Sequence, residues 1–152
     1  MTGRIAIALC CAALSACSPA PDGLVITHTY GFAPVGTSGM AVAYLTVHNN
    51  TGQDIRIESV HSKLFANAEI HETVMQDGHA RMRAMENIEI RAGETLELEP
   101  GGVHLMLMQP HEPVTAGTVD TLTFNLSQHD AVIAPVEFFA RNAPPPMHED
   151  IH

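Results

Sequence analysis

Histidine and methionine alternate with aliphatic residues in the segment VHLMLM, at residues 103–108. The side chains of a β-strand point alternately to its two faces. With this period of two, three aliphatic side chains face one way, while His104, Met106 and Met108 face the other. The second face is therefore either an extension of the core or a place where a soft ligand binds.

A second group of such residues occurs in the segment HETVMQDGHARM, at residues 71–82. The Asp-Gly dipeptide at 77–78, between two alternating runs, is typical of the turn in a two-residue β-hairpin. The pairs that this turn predicts are Gln76 with His79, Thr73 with Met82, and His71 with Ala84. His71 and Met82 are then diagonal neighbours on one face, about 7–8 Å apart at the backbone.

Two imidazoles and two thioethers meet if the strand at 103–108 packs near the open end of this hairpin. His104 and Met106 lie about 6.6 Å apart along one face of that strand. Thioethers are poor ligands for Zn²⁺, Ca²⁺ and Mg²⁺, and they suit Cu(I). The candidate metal ligands are His71, Met82, His104 and Met106.

Core packing is the alternative explanation of these side chains. Methionine commonly fills gaps in hydrophobic cores, and the chain has 8 methionines and 10 histidines. Met75, Met82, Met85 and Met108 could all be core residues, and His71 could be an ordinary surface histidine. The spacing alone leaves both interpretations open. It does place His71 with Met82 on one face, and independently places His104 with Met106 on one face.

The N-terminal segment is typical of an export signal. Arg4 precedes an apolar run at residues 5–16, which is too short to span a bilayer stably. The run ends in LSAC, which resembles the lipobox of bacterial lipoproteins. We therefore expect a protein of the periplasm or cell envelope that a lipid anchors to the membrane. The predicted segments are a lipoprotein-type signal peptide at 1–16, an acylated Cys17 and a tether at 17–23. A plain signal peptide with an incidental cysteine is the alternative.

This assignment removes every cysteine from the mature domain. Cys10 and Cys11 lie in the predicted signal peptide, and Cys17 would carry the lipid. The domain would then contain neither a thiol nor a disulfide. Because blue-copper electron-transfer centres need a Cys thiolate, we exclude that function.

The composition limits the partners. Asp and Glu number 17 against 7 Lys and Arg, which gives a formal net charge of −10. Nucleic-acid binding is excluded because no basic patch could neutralise phosphates, whereas the acidic charge favours cations. The 152 residues, of which 45% are hydrophobic, suffice for one domain with a core.

Short β-like runs recur roughly every 8–12 residues from residue 24 onward, separated by turn residues. No stretch has a clean helical period. The pattern predicts an all-β, Greek-key sandwich or small barrel over residues 24–141, followed by a flexible, solvated tail at residues 142–152. The predicted strands are 24–30, 40–49, 55–61, 69–74, 79–85, 88–91, 95–99, 103–108, 119–126 and 131–139.

The four candidate ligands also match a known motif. The chain resembles the periplasmic copper chaperones called PCu(A)C, whose signature is H(M)x10Mx21HxM. Ten residues separate His71 from Met82, twenty-one separate Met82 from His104, and Met106 follows two positions later. The likeness extends to the flanking stretches AYLTVHNNTGQD and RMRAMENIEIRAGETLELEPGGVHLML. One departure is Ala80, where many members carry a further methionine.

This resemblance implies a cupredoxin-like β-barrel that binds Cu(I) through the four candidate ligands. It implies a role in supplying copper to the binuclear copper centre of cytochrome c oxidase. The expected partner is a copper-receiving oxidase subunit or another copper chaperone, and we expect a monomer. Some members carry Met- and His-rich C-terminal extensions that bind Cu(II). This chain has only Met147, His148 and His152 in its tail, and a solvated tail is the preferred interpretation.

Other functions are consistent with parts of the sequence. A copper-scavenging or resistance protein would bind the metal without a dedicated recipient. A copper enzyme would need an open coordination position and a nearby acid or base. Glu72 adjoins His71, but alternation directs it to the opposite face, so we expect a binding protein and not an enzyme. A structural β-sandwich without metal would tolerate His71→Ala and Met106→Ala with no change except in stability.

Overall fold

The structure, a computed structural model, describes residues 23–36, 38–144 and 146. Within these residues the chain forms ten strands and no helix, which confirms the all-β prediction. Each predicted strand is present. The strands are β1 (Leu24–Phe32), β2 (Met40–Asn49), β3 (Ile55–Ser62), β4 (Phe65–Gln76), β5 (His79–Ala84), β6 (Ile88–Ile90), β7 (Thr95–Leu98), β8 (Val103–Pro110), β9 (Val119–Leu126) and β10 (His129–Phe139).

The strands form a mixed sheet in the order β5-β4-β8-β2-β1-β10-β9-β3-β6. β2 pairs with β8 along its first half and with β7 along its second half. β1 and β10 run parallel, and their other neighbours run antiparallel to them. Because β3, near one end of this order, also contacts β4 near the other end, the sheet curls back on itself and encloses a core.

The core is formed by the side chains that point inward, which are alternate residues along the strands. Leu105 and Leu107, which belong to the aliphatic face of β8, are fully buried, and so are Phe124 and Phe138. Such alternation is what a strand with one buried face requires. The aliphatic face that the sequence predicted for β8 is therefore part of the core.

A buried carboxylate joins the two sides of the enclosed sheet. Asp120, at the start of β9, accepts a hydrogen bond from the Ser62 hydroxyl at 2.5 Å. It also accepts bonds from the backbone N–H groups of Lys63 and Leu64, at 3.1 and 3.2 Å. These donors lie at the end of β3 and in its connection to β4, so Asp120 holds β4 in position relative to β9.

The turn between β4 and β5 has the predicted chemistry. Asp77 and Gly78 have φ angles of 52° and 76°, and two consecutive left-handed residues are characteristic of a type I′ turn. The pairing of β4 with β5 follows the predicted register from Gln76 with His79 to His71 with Ala84. The orientation of this hairpin is thus determined by two residues of local sequence.

Some strands are longer than predicted because tertiary pairing extends them. β4 begins at Phe65, where it already pairs with Pro110 of β8. β10 begins at His129, opposite Leu126, and β1 continues to Phe32, opposite Phe139. The local sequence of these ends carries no alternation, so their extent depends on the partner strand.

Several predictions concern residues that the structure does not describe. The signal peptide at 1–16, Cys17 and all of the tether except Gly23 lie outside the described residues, and so do residues 147–152 of the tail. Among the residues that are described, no helix has the length and apolar character needed to cross a membrane.

Candidate metal site

The two candidate histidines face each other across neighbouring strands. β4 and β8 are antiparallel, and His71 pairs directly with His104. Their ring centroids are 6.1 Å apart, with an angle of 38° between the ring planes. The same register places Glu69 opposite Met106, so His71, Glu69, His104 and Met106 share one face of the sheet. The predicted meeting of the hairpin with the strand at 103–108 is therefore present.

Met82 reaches this face from β5, at the edge of the sheet. It pairs with Thr73, which makes it a diagonal neighbour of His71, about 7–8 Å away at the backbone. Its side chain is 64% exposed, so it is not a core residue. Met82, His104 and Met106 together line a surface cleft of about 470 Å³. His71 completes the group through its contact with the ring of His104.

One nitrogen of His104 is held by the backbone. His104 is 7% exposed, and its Nδ1 lies 3.0 Å from the carbonyl oxygen of Gly102. Because a carbonyl can only accept, Nδ1 carries a proton, and in the neutral imidazole the lone pair is on Nε2. A metal-ligating histidine commonly donates its other N–H in this way, which fixes both tautomer and ring orientation.

His71 is held by a carboxylate and presents the other nitrogen. Its Nε2 lies 3.0 Å from Oε2 of Glu69, so Nε2–H donates, and in the neutral imidazole the lone pair is on Nδ1. Among the described residues, this Nδ1 is buried and has no hydrogen-bond partner. Buried polar atoms are almost always satisfied, and an exception calls for an absent ligand or another explanation. A soft cation bound at Nδ1 would satisfy it.

The donor set restricts which ion fits. In the part of the chain that the structure describes, no three or more His, Cys, Asp or Glu side chains are grouped in a way that could hold a metal. The described residues at this face do supply two thioethers, from Met82 and Met106, together with the two imidazoles. That mixture suits Cu(I) and disfavours hard divalent ions.

Other side chains around the site were missed by sequence reasoning. Glu69 lies two residues before His71, and alternation could have placed it on the same face. Tyr44, Met40 and Arg141 line the cleft from other parts of the chain, and no local pattern connects them to the motif. Burial raises the pKa of Tyr44, and the nearby Arg141 opposes this rise.

Glu72 is directed away from the site, as alternation predicted. It pairs across the hairpin with Arg83, and its Oε2 accepts a bond from that guanidinium at 2.8 Å. The carboxylate adjacent to His71 in sequence is thus engaged on the opposite face, and the carboxylate that contacts His71 is Glu69.

Comparison with known proteins assigns the chain to a family. Residues 24–137 match the family model LpqE-like, described as "Putative lipoprotein LpqE-like". This range contains β1 to β9 and most of β10. The chain belongs to the LpqE-like family. A relative from Leifsonia xyli subsp. xyli (strain CTCB07), named "Putative lipoprotein Lxx21020", is 31% identical over 122 residues. The match covers 78% of this chain and 72% of the relative.

Solved structures share the fold of this LpqE-like chain. The copper-bound PCuAC domain from PmoF2 matches with a TM-score of 0.65 and 20% identity, covering 80% of this chain and 97% of that domain. CuI-DR1885 from Deinococcus radiodurans matches with a TM-score of 0.63 and 21% identity, covering 84% and 85% of the two chains. The predicted cupredoxin-like β-sandwich and the resemblance to PCu(A)C proteins are thereby confirmed.

Proposed function

We propose that this protein is an extracytoplasmic copper chaperone that carries Cu(I) on His71, Met82, His104 and Met106. The observation that carries the proposal is the convergence of two imidazoles and two thioethers on one sheet face. Each imidazole has one nitrogen anchored and the other left with a lone pair. The copper-bound form of the PmoF2 domain and the CuI form of DR1885 support copper as the cargo.

The ligand types suit a carrier that must also release its metal. Outside the cytoplasm, thiols are readily lost to disulfides, whereas thioethers are not consumed in this way. Neutral thioethers bind Cu(I) less tenaciously than thiolates do. The site is also accessible, because Met82 is exposed at the edge of the sheet. A partner protein can therefore coordinate the metal with its own ligands before the chaperone's ligands dissociate from it.

We assign no catalytic step to the site. The protein's residues bind and orient the cargo: His104 and Met106 from β8, His71 from β4 and Met82 from β5. The anchored nitrogens are tied to Gly102 and Glu69. The proposed recipient is the copper centre of cytochrome c oxidase, reached through an oxidase subunit or another copper chaperone.

The proposed location is the periplasmic side of the envelope, with a lipid on Cys17 as the membrane anchor. The lipobox-like LSAC sequence supports this location, as do the lipoprotein descriptions of the family and of the relative from Leifsonia. Labelling with a radioactive fatty acid tests it, because Cys17→Ser would abolish incorporation. Retention of the label in this variant would contradict the anchor.

An anaerobic titration tests the metal site. The purified protein competes for Cu(I) with a chromophoric chelator, alongside His104→Ala, Met106→Ala and the exposed control His129→Ala. We expect one tight equivalent in the parent and in the control, and its loss in the two site variants. An absence of binding by the parent, or equal binding by all four proteins, would contradict the proposal.

A second experiment separates delivery from scavenging. Deleting the gene and growing the cells at limiting copper should lower cytochrome c oxidase activity, and added copper should restore it. A scavenging protein without a dedicated recipient would instead leave oxidase activity unchanged and lower tolerance to excess copper. The second outcome would retain the metal site and overturn the delivery role.

A further inference from the structure

Two exposed methionines lie side by side at the end of the β4–β5 hairpin. Met75 is 71% exposed and Met82 is 64% exposed. Met75 pairs with Ala80, and Met82 pairs with Thr73. Since residues two apart on a strand share a face, Met75, Thr73 and His71 lie on the same side of β4 as Met82 does on β5.

Met82 therefore has two diagonal neighbours on β4, one on each side of Thr73. His71 lies toward the interior of the sheet, and Met75 lies toward the turn. Both are about 7–8 Å from Met82 at the backbone, within reach of a long side chain. The thioether of Met82 can be directed to either of them by rotation about its side-chain bonds.

Packing does not account for Met75. Methionine is usually a core residue, yet every residue of β5 is exposed and Met75 lies at the exposed end of β4. Ala80, directly across from Met75, leaves the space beside it open to solvent. What remains is an accessible soft donor next to a residue that already belongs to the candidate metal site.

We propose that Met75 and Met82 form an outer Cu(I) site with two thioether ligands, which admits copper to the inner site. The proposal rests on the proposed function, because the inner site is its destination. Met82 is shared, so the ion passes inward without leaving the protein. In that step the bond from copper to the Met75 sulfur breaks as the bond to Nδ1 of His71 forms. Copper stays Cu(I), and no electron or proton is transferred.

The outer site is weaker than the inner one. It has two neutral donors, and both are surrounded by water, whereas His104 is nearly buried. Because both sites use the Met82 thioether, copper at equilibrium occupies the inner site and leaves the outer site empty. During loading it is occupied transiently, so Met75 affects the rate of copper entry and not the affinity of the inner site.

Methyl-labelled methionine NMR tests the outer site in the purified protein. Cu(I) is added anaerobically to the parent, to Met75→Leu and to the control Met85→Leu, which removes a thioether packed against the core. Leucine conserves the volume of methionine. In the parent, the first equivalent should shift the Met106 and Met82 methyl signals. At substoichiometric Cu(I), exchange of copper through the outer site should also broaden the Met75 methyl signal.

The variants decide the assignment. Met75→Leu should keep the first equivalent but take it up more slowly from a chromophoric chelator, whereas Met85→Leu should change neither the affinity nor the rate of uptake. A Met75 signal that neither shifts nor broadens, or equal rates of copper uptake in Met75→Leu and Met85→Leu, would overturn the outer site. Failure of the proposed function would be seen separately, as a Met106 signal that does not respond to the first equivalent.

Discussion

At the scale of residues, the two imidazoles of the candidate site are hydrogen-bonded through different ring nitrogens. His104 donates from Nδ1 to a backbone carbonyl, and His71 donates from Nε2 to the carboxylate of Glu69. The backbone partner of His104 cannot be removed by substitution, but the partner of His71 can. Glu69 is therefore the position outside the four proposed ligands where we expect a substitution to affect the site most directly.

We expect Glu69→Ala to weaken Cu(I) binding by about 10–100-fold, which is the usual effect of removing the partner of a ligating histidine. The ring of His71 would lose its fixed tautomer and orientation. Competition with a chromophoric chelator measures the change in Kd. Glu72→Ala is the matched control, because that carboxylate contacts Arg83 on the opposite face. Equal affinities for both variants would show that Glu69 does not position His71.

At this scale the sequence located the four candidate ligands but not the residues that surround them. The motif and the alternation predicted the four residues that the structure brings together. Glu69 obeys the same alternation but was missed because its role depends on a side-chain contact. Tyr44 and Arg141 line the cleft from β2 and from beyond β10, and only the tertiary fold could reveal them.

At the scale of elements, the type I′ turn determines which face of β5 carries Met82. Gly78 has a left-handed backbone, which costs other L-residues about 1–2 kcal/mol. We expect Gly78→Ala to lower the opening free energy of the hairpin by that amount. The protection of the β5 amides against hydrogen exchange would then fall roughly 5–30-fold. Asp77→Asn should retain it, because Asn also tolerates this conformation. Unchanged protection in Gly78→Ala would contradict this role of the turn.

A glycine in β1 allows that strand to approach β10 closely. A Cβ on Gly31 would lie 2.8 Å from two ring carbons of Phe138 and 3.0 Å from the carbonyl oxygen of Val42. Gly31→Ala should therefore reduce the free energy of unfolding by about 1–3 kcal/mol, as overpacking does. Urea denaturation measures the loss. Gly52→Ala is the control, because no atom lies within 4 Å of its added Cβ, and a loss of similar size there would contradict the steric explanation.

The sequence predicted the elements better than their arrangement. Alternation and turn residues located the strands, and the register of β4 with β5 followed from a local turn. The parallel pairing of β1 with β10 and the division of β2 between β8 and β7 join segments far apart in the chain. Such pairings depend on how whole faces are buried together, and no local pattern records them.

At the scale of the whole molecule, the burial of tyrosines links stability to alkaline pH. Burial raises the pKa of Tyr44 above its ordinary value of 10.0. In the pH range above 10.0, the folded protein then holds more protons than the unfolded chain does. Stability must fall as pH increases through that range. We expect Tyr44→Phe to show a smaller fall in unfolding free energy between pH 8 and pH 11, measured with urea. An identical fall in both proteins would contradict this link.

The position of Met82 makes the four proposed ligands unequal in how easily they detach from the site. Its strand is an outer edge in which every residue is exposed, whereas β4 and β8 each have a neighbouring strand on both sides. Edge strands with few buried contacts detach locally at a small fraction of the cost of global unfolding. Fraying of β5 would remove one thioether while both histidines and Met106 stay in place. We therefore expect local opening of this hairpin to set the residence time of bound Cu(I). Arg81 and Arg83 on the same strand disfavour pairing of another strand with its exposed edge.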